Sequence, residues 1–205
     1  MSIKYCITAG HPEDKPCDEL KQQFAEIEQA FLLEPSLLPV TAENLAASFG
    51  AGYAVLALDT IGGPVGYTRL QHLPADDHPI GPWFELGSTW VHPDFRGRKI
   101  NETMYSILLP RHKDRNILAT TTNPISYQVG KQQGFVHVPR RALPEEVWKS
   151  SCVCPLAKTR SSSPDNSGCR YAHGEAQQSG SLCWFRVTLE TAVRNGLLKA
   201  PAIAA

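Results

Sequence analysis

A short basic segment holds the residues with the clearest chemical potential. It reads Val91-His92-Pro93-Asp94-Phe95-Arg96-Gly97-Arg98-Lys99-Ile100-Asn101 and lies between a predicted strand and a predicted helix. Such a junction directs backbone N–H groups and the positive end of a helix dipole towards one point, which favours a pyrophosphate. Arg96, Arg98 and Lys99 would add charged donors, and Gly97 would let the backbone approach closely. The alternative interpretation is an ordinary solvated turn.

A second group of reactive residues lies in a later stretch that is rich in Ser, Gly, Asn and Gln. Thiolates and imidazoles are the usual ligands of tetrahedral zinc, and a loop with few apolar residues gains most from a metal that closes it. A structural zinc ion is therefore one interpretation. Buried thiols without a ligand, a redox pair and a cysteine acyl carrier are the alternatives. The candidate ligands are Cys152, Cys154, Cys169, His173 and Cys183.

The elements that position these residues follow from apolar periodicity and turn signals. Thr41 and Asn123 are predicted helix caps, with Pro124 at a first helical position and Gly134 at a helix end. The predicted strands span 3–8, 53–58, 65–73, 83–91, 117–121, 135–138 and 184–189, the last of which could close the sheet edge. The predicted helices cover 20–34, a short stretch after Thr41, 98–110, 124–133 and 189–198.

Antiparallel strands come first and crossover helices later, which predicts an α/β (α+β) fold with a mixed, mostly antiparallel central sheet flanked by helices. Residues 1–150 are assigned to the main domain. Residues 151–183 are assigned to a Cys-rich loop or zinc-binding insertion. Residues 184–205 are assigned to a strand and helix that complete the main domain.

Two blocks in this order resemble the GNAT superfamily of acyl-CoA-dependent N-acetyltransferases. In that family a strand ending in Val-x-Pro leads into an acyl-CoA loop that reads Arg/Gln-x-x-Gly-x-Gly/Ala. Two positions depart from this pattern: Lys99 and Asn101 stand where the family usually has Gly and Gly or Ala. The residues that fall in place are Val91, Pro93, Arg96, Gly97, Arg98 and Ile100. The second block runs from Asn123 to Gly134-Phe135, with Asn, helix and Gly-Phe in the family's order.

The resemblance implies roles for individual residues. Glu85 stands where many members carry a glutamate that deprotonates the substrate amine through water; a structural salt bridge is the alternative. Gly130 occupies the position of the tyrosine that protonates the departing thiolate, so Tyr127, one helical turn earlier, is the substitute; an ordinary surface tyrosine is the alternative. The implied cofactor-binding residues are Trp90, Val91, Arg96, Gly97, Arg98, Lys99, Ile100, Asn101 and Asn123.

The composition of the 205 residues limits the classes of function. Twenty basic and twenty acidic residues cancel, which gives no overall field that would draw the protein to nucleic acid or to an anionic membrane. A start without a signal-like apolar core, and the lack of a membrane-length apolar run, favour a cytoplasmic protein. The sequence leaves a homodimer open.

We therefore expect transfer of an acetyl group from acetyl-CoA, as cosubstrate, to a primary amine of a small molecule, peptide or protein. The amine would attack directly in a ternary complex. The alternative is a GNAT-like binding or regulatory module that has lost catalysis and carries a structural zinc site.

Overall fold

The computed structural model describes residues 5–10, 18–34, 37–74, 81–121, 123–139, 142–151 and 184–198. The strands are β1 (Tyr5–Ala9), β2 (Ala54–Asp59), β3 (Pro64–His72), β4 (Trp83–Val91), β5 (Asn116–Thr121), β6 (Phe135–His137) and β7 (Trp184–Thr188). The helices are α1 (Asp18–Leu33), α2 (Ala42–Gly50), α3 (Ile100–Arg111), α4 (Pro124–Gln132), α5 (Glu145–Ser151) and α6 (Leu189–Arg194).

Seven strands form a sheet in the order β1-β2-β3-β4-β5-β7-β6. The pairs β1–β2, β2–β3, β5–β7 and β6–β7 are antiparallel. Strands β4 and β5 are parallel, with Trp83 opposite Asn116 and Glu85 opposite Leu118. The predicted mixed, mostly antiparallel sheet flanked by helices is confirmed.

The chain divides into two compact units. The first consists of residues 1–71 and 86–112, and the second of residues 72–85 and 113–205. Strand β4 contributes Leu86–Val91 to the first unit and Trp83–Glu85 to the second.

Aromatic residues fill the core of the first unit. Phe24 and Phe31 of α1 and Phe49 of α2 are buried against Tyr67 of β3. The Tyr67 hydroxyl donates a hydrogen bond of 2.9 Å to the carbonyl oxygen of Leu45, and burial raises the pKa of this phenol well above its usual range. Because the buried hydroxyl has an acceptor, the core contains this polar group without leaving its donor unpaired.

The core of the second unit lies around two tryptophans. Trp83 of β4 and Trp148 of α5 are fully buried, together with Leu118 of β5 and Val187 of β7. Helix α5 is absent from the sequence prediction because its seven residues are too few to show a helical period.

Local signals fix several boundaries as predicted. The Thr41 hydroxyl accepts a hydrogen bond from the Asn44 N–H at 3.3 Å, and Pro124 stands at the start of α4. Strand β4 has the predicted bounds. The prediction that the last strand closes the sheet edge is wrong, since β7 lies between β5 and β6. Among the described residues, none of the helices is long and apolar enough to cross a membrane.

Candidate active site

The connection from β4 to α3 is a loop of the first unit with several internal contacts. The His92 N–H donates to the Val65 carbonyl oxygen at 2.9 Å, and residues 93–95 form one turn of 3-10 helix. The His92 ring accepts a hydrogen bond from the Asp94 N–H at 3.3 Å and lies edge-on to Trp90 and Phe95. These contacts tie the loop backbone to β3 and to the aromatic side chains on either side of His92.

The two arginines of the loop also bond to it. The Arg96 side chain donates to the Val91 carbonyl oxygen at 3.2 Å and to the Glu34 carboxylate at 3.0 Å. The Arg98 side chain donates to the Asp94 carbonyl oxygen at 3.2 Å and lies over the Phe95 ring. The Arg96 side chain is 57% exposed, and the Arg98 side chain is partly exposed. Both guanidinium groups are therefore accessible to an anion.

The backbone at the entrance to α3 turns through the left-handed region twice. Gly97 has φ of 77° and Lys99 has φ of 61°. Glycine adopts this region at no steric cost, whereas any other residue pays about 1 kcal/mol. Lys99 therefore adopts a backbone conformation that favours glycine, and its exposed side chain makes no capping hydrogen bond.

Helix α3 is seated on β3 at its first turn. Gly66 leaves room for Ile100, whose Cγ2 would lie 2.9 Å from a Cβ placed at Gly66. Ile100 is fully buried, while Asn101 is partly exposed. The Asn101 Oδ1 atom is buried and has no hydrogen-bond partner among the described residues. This arrangement fixes the direction in which the first N–H groups of α3 point.

Strand β4 carries the remaining predicted residues of the first unit. Trp90 is buried in the core, and Val91 is partly exposed beside the loop. A regular strand alternates its faces, which predicts that Glu85 and Val91 lie on one face of β4. Ser88 interrupts this alternation with φ of 49°, and a left-handed residue rotates the chain, so the prediction does not hold across Ser88.

Glu85 belongs to the second unit. Its carboxylate accepts a hydrogen bond of 2.7 Å from the Thr120 hydroxyl of the neighbouring strand β5. The side chain is partly exposed. A carboxylate held by a charge-assisted hydrogen bond keeps one orientation and can accept a proton there.

Tyr127 lies in an aromatic and cationic surrounding on α4. Its ring centroid is 4.8 Å from that of Trp184, and the Arg186 guanidinium carbon lies 5.7 Å from the Tyr127 ring centroid. Arg186 is buried and donates to the carbonyl oxygens of Ser126 and Tyr127 at 2.9 and 3.3 Å. The phenol is therefore held against β7.

Arg186 also accounts for Gly130. A Cβ at position 130 would lie 2.1 Å from the Arg186 Nη1 atom. No side chain fits there while the guanidinium keeps its place. The glycine and the arginine thus form one packing unit, and Tyr127 is the phenol next to it.

Asn123 caps α4 in the second unit. Its Oδ1 atom accepts hydrogen bonds from the Ile125 and Ser126 N–H groups at 2.8 and 3.4 Å. The predicted cap is confirmed, and its role in cofactor binding stays a prediction.

The structure brings the predicted loop residues 90–101 together in the first unit, and it places Glu85, Asn123 and Tyr127 in the second. The cysteine-rich segment lies outside the described residues, so the zinc prediction is not tested there. Within the described ranges, no group of three or more His, Cys, Asp or Glu side chains could hold a metal ion.

Ser88, Arg69 and Arg186 are not among the site residues predicted from the sequence. A signal was available for the two arginines, since each is a charged residue inside an apolar strand, where it must have partners. Nothing in the sequence distinguishes Ser88 from its neighbours, because its left-handed backbone depends on tertiary contacts.

Solved structures that resemble this chain include acetyltransferases. A GNAT-family acetyltransferase from Staphylococcus aureus Mu50 superposes with a TM-score of 0.53 at 14% identity, covering 90% of this chain and 98% of its own. A GNAT-superfamily phosphinothricin acetyltransferase from Sinorhizobium meliloti, in complex with acetyl-CoA, gives 0.50 at 20% identity and covers 65% and 75%. A chain of the NatC complex bound to Gag peptide and CoA gives 0.56 at 12% identity and covers 91% and 98%.

The described chain therefore has the fold of the GNAT acetyltransferases. The sequence itself matches no protein-family model and no curated protein.

Proposed function

We propose that the protein is an N-acetyltransferase, which moves the acetyl group of acetyl-CoA to a primary amine of a small molecule, peptide or protein. The main support for this proposal is the β4–α3 connection, where Gly97 and Lys99 both have a left-handed backbone conformation at the start of a helix. Left-handed residues in such a turn can line up successive backbone N–H groups as a concave anion site, and a helix start favours an anion such as a pyrophosphate.

Acetyl-CoA is the proposed cosubstrate. The N–H groups at the start of α3 and the loop backbone bind the pyrophosphate, and the exposed Lys99 ammonium adds charge. The main-chain groups of Trp90 and Val91 bind the pantetheine arm. The full proposed binding set is Trp90, Val91, Arg96, Gly97, Arg98, Lys99, Ile100, Asn101 and Asn123.

The proposed reaction is a direct acyl transfer. Glu85 accepts, through a water molecule, a proton from the substrate ammonium, because the ammonium form has no lone pair to attack with. The amine nitrogen then forms a bond to the thioester carbonyl carbon, and a backbone N–H stabilises the oxyanion. The carbonyl re-forms as the C–S bond breaks, and the Tyr127 hydroxyl donates its proton to the departing thiolate. The resulting phenolate takes up the second proton that the amine nitrogen loses on becoming an amide, which restores Tyr127.

The acceptor is proposed only as a class. One structural neighbour is a phosphinothricin acetyltransferase and another was solved with a peptide and CoA, so the same fold accommodates amines of very different size. This variety supports a primary amine as acceptor and favours no particular molecule.

Calorimetric titration with acetyl-CoA tests the proposal. We expect saturable binding by the native protein and a loss of affinity of at least about tenfold when Arg96→Ala and Arg98→Ala are combined, since each charge-assisted contact is worth about 1.5 to 3 kcal/mol. Lys113→Ala is the matched control, because Lys113 is exposed and lies outside the loop. Binding by this control should equal that of the native protein.

Turnover is then measured with a panel of amines and a thiol assay. Glu85→Gln should lower kcat about 10²- to 10⁴-fold while leaving the affinity for acetyl-CoA unchanged. Failure of the native protein to bind millimolar acetyl-CoA would refute the enzyme and support the binding or regulatory module.

A further inference from the structure

Ser88 has a strained backbone in the middle of β4. Its φ of 49° lies in the left-handed region, which Lys99 alone shares among the non-glycine residues that the structure describes. Such a conformation costs about 1 to 3 kcal/mol and persists only where the surroundings fix it. In a strand it redirects every residue that follows, here Thr89, Trp90 and Val91.

A buried arginine supplies the fixing contact. The Nε atom of Arg69 donates to the Ser88 Oγ at 3.2 Å, and Arg69 is only 7% exposed. The same guanidinium donates to the Ser48 Oγ at 3.2 Å and to the Gln71 Oε1 at 2.8 Å. Because the guanidinium is planar, the bond from Nη2 to Gln71, on the same strand β3, holds the plane in which Nε faces Ser88.

Ser48 is bonded within its own helix. Its Oγ donates to the Asn44 carbonyl oxygen at 2.9 Å, within α2. Without the Ser48 hydroxyl, the bonds of Arg69 to Gln71 and to Ser88 remain, so Arg69 keeps its orientation towards Ser88.

The residue after Ser88 is fixed from two further sides. The Thr89 Oγ1 lies 2.8 Å from the Thr68 Oγ1 of β3 and 3.1 Å from the Tyr105 hydroxyl of α3. Thr68 is fully buried and Tyr105 is nearly so. The end of β4 that follows Ser88 is therefore bonded to both β3 and α3.

We propose that Arg69 is a positioning residue of the donor site. Its bond to Ser88 holds the left-handed backbone, which directs the main-chain N–H and C=O groups of Thr89, Trp90 and Val91 towards the pantetheine arm. The inference rests on the proposed function, since it assigns these backbone groups to the acyl donor. Arg69 itself need not touch the donor.

Two serine variants separate this role from a structural one. Ser88→Ala removes the acceptor from Arg69 and leaves the donor loop unchanged, so we expect the Kd for acetyl-CoA to rise about tenfold, as for loss of one charge-assisted hydrogen bond. Ser48→Ala is the matched control, because it removes a hydroxyl at the same distance from the same guanidinium. Its Kd should stay within about twofold of the native value. Thermal unfolding verifies that both variants fold.

The combined variant tests whether Arg69 acts through Ser88. Arg69→Met should weaken acetyl-CoA binding in the native chain and should add nothing to the effect of Ser88→Ala. Equal affinities of Ser88→Ala and the native protein would overturn the proposal. So would a loss for Ser48→Ala as large as that for Ser88→Ala.

Amide hydrogen exchange, measured without ligand, distinguishes this proposal from the proposed function. Exchange at residues 88–91 should be faster in Ser88→Ala than in Ser48→Ala. If exchange is faster but the protein does not bind acetyl-CoA, the proposed acetyltransferase is refuted. The Arg69–Ser88 contact would then still hold the backbone conformation of β4. Unchanged exchange would overturn that contact, whatever the protein binds.

Discussion

At the scale of single residues, Lys99 shows which backbone conformation the loop requires at its entry into α3. The sequence departs from the GNAT pattern at Lys99, yet this residue has the left-handed φ that a glycine would have. Side-chain identity and backbone conformation are separate properties here. A motif match that reads only residue types underrates the loop.

Replacement of Lys99 by glycine should stabilise the protein. The relief of left-handed strain outweighs the extra chain entropy of glycine in the unfolded state, so the free energy of unfolding should rise by about 0.5 to 1 kcal/mol. Denaturant unfolding measures it. Lys131→Gly, in the ordinary helical backbone of α4, is the opposite control and should cost about 1 kcal/mol. A loss in both variants would mean that Lys99 is not strained.

At the scale of elements, α4 and β7 are matched through one glycine and one arginine. Arg186 lies between the Tyr127 and Phe135 rings and bonds the carbonyl groups of α4. The close approach is possible only because position 130 carries no side chain. The helix and the strand therefore constrain each other's sequence.

Gly130→Ala tests this constraint. The added methyl group would overlap the Arg186 guanidinium, so the free energy of unfolding should fall by about 1 to 3 kcal/mol. Gly134→Ala is the matched control: a Cβ there meets nothing within 4 Å, although φ is 83°, and the cost should be about 1 kcal/mol. In an Arg186→Ala background the Gly130→Ala penalty should shrink, because the clash partner is gone.

If the Gly130→Ala penalty were the same with and without Arg186, the two residues would not be coupled. A double-mutant cycle from chemical unfolding gives this number directly.

At the scale of the whole molecule, the sheet and its boundaries follow from local signals. Caps such as Thr41 and Asn123, and the apolar run of β4, could be recognised because each signal involves neighbours in sequence. The loop 91–101 was found for the same reason. The fold class was within reach for a single sequence.

The rest depends on contacts between distant parts of the chain. The rotation at Ser88 needs Arg69, and the space at Gly130 is explained only by Arg186, which follows much later in the chain. The place of β7 inside the sheet likewise depends on which strands meet in three dimensions. Spacing along a sequence carries no information of this kind, so these features could not be predicted.

Zinc binding by the cysteine-rich segment stays a prediction that is tested on the whole protein. If it binds a structural zinc ion, protein purified without chelator should contain about one zinc per chain by elemental analysis. Cys152→Ser combined with Cys154→Ser should reduce that content, because the pair supplies two of the predicted thiolates. Cys6→Ser, at an exposed cysteine far from the segment in sequence, is the control. Metal-free native protein would reject the zinc hypothesis.

The position of β7 has a consequence for synthesis of the protein. Strands β5 and β6 leave the ribosome first, yet the strand that pairs with both of them is made later. Until Trp184–Thr188 emerges, β5 presents an open edge of backbone N–H and C=O groups, and β6 has no native partner. Folding of the second unit therefore cannot be completed until β7, the strand between β5 and β6, has been synthesised. During that delay, the β5 edge of a nascent chain is exposed to pairing with a neighbouring chain.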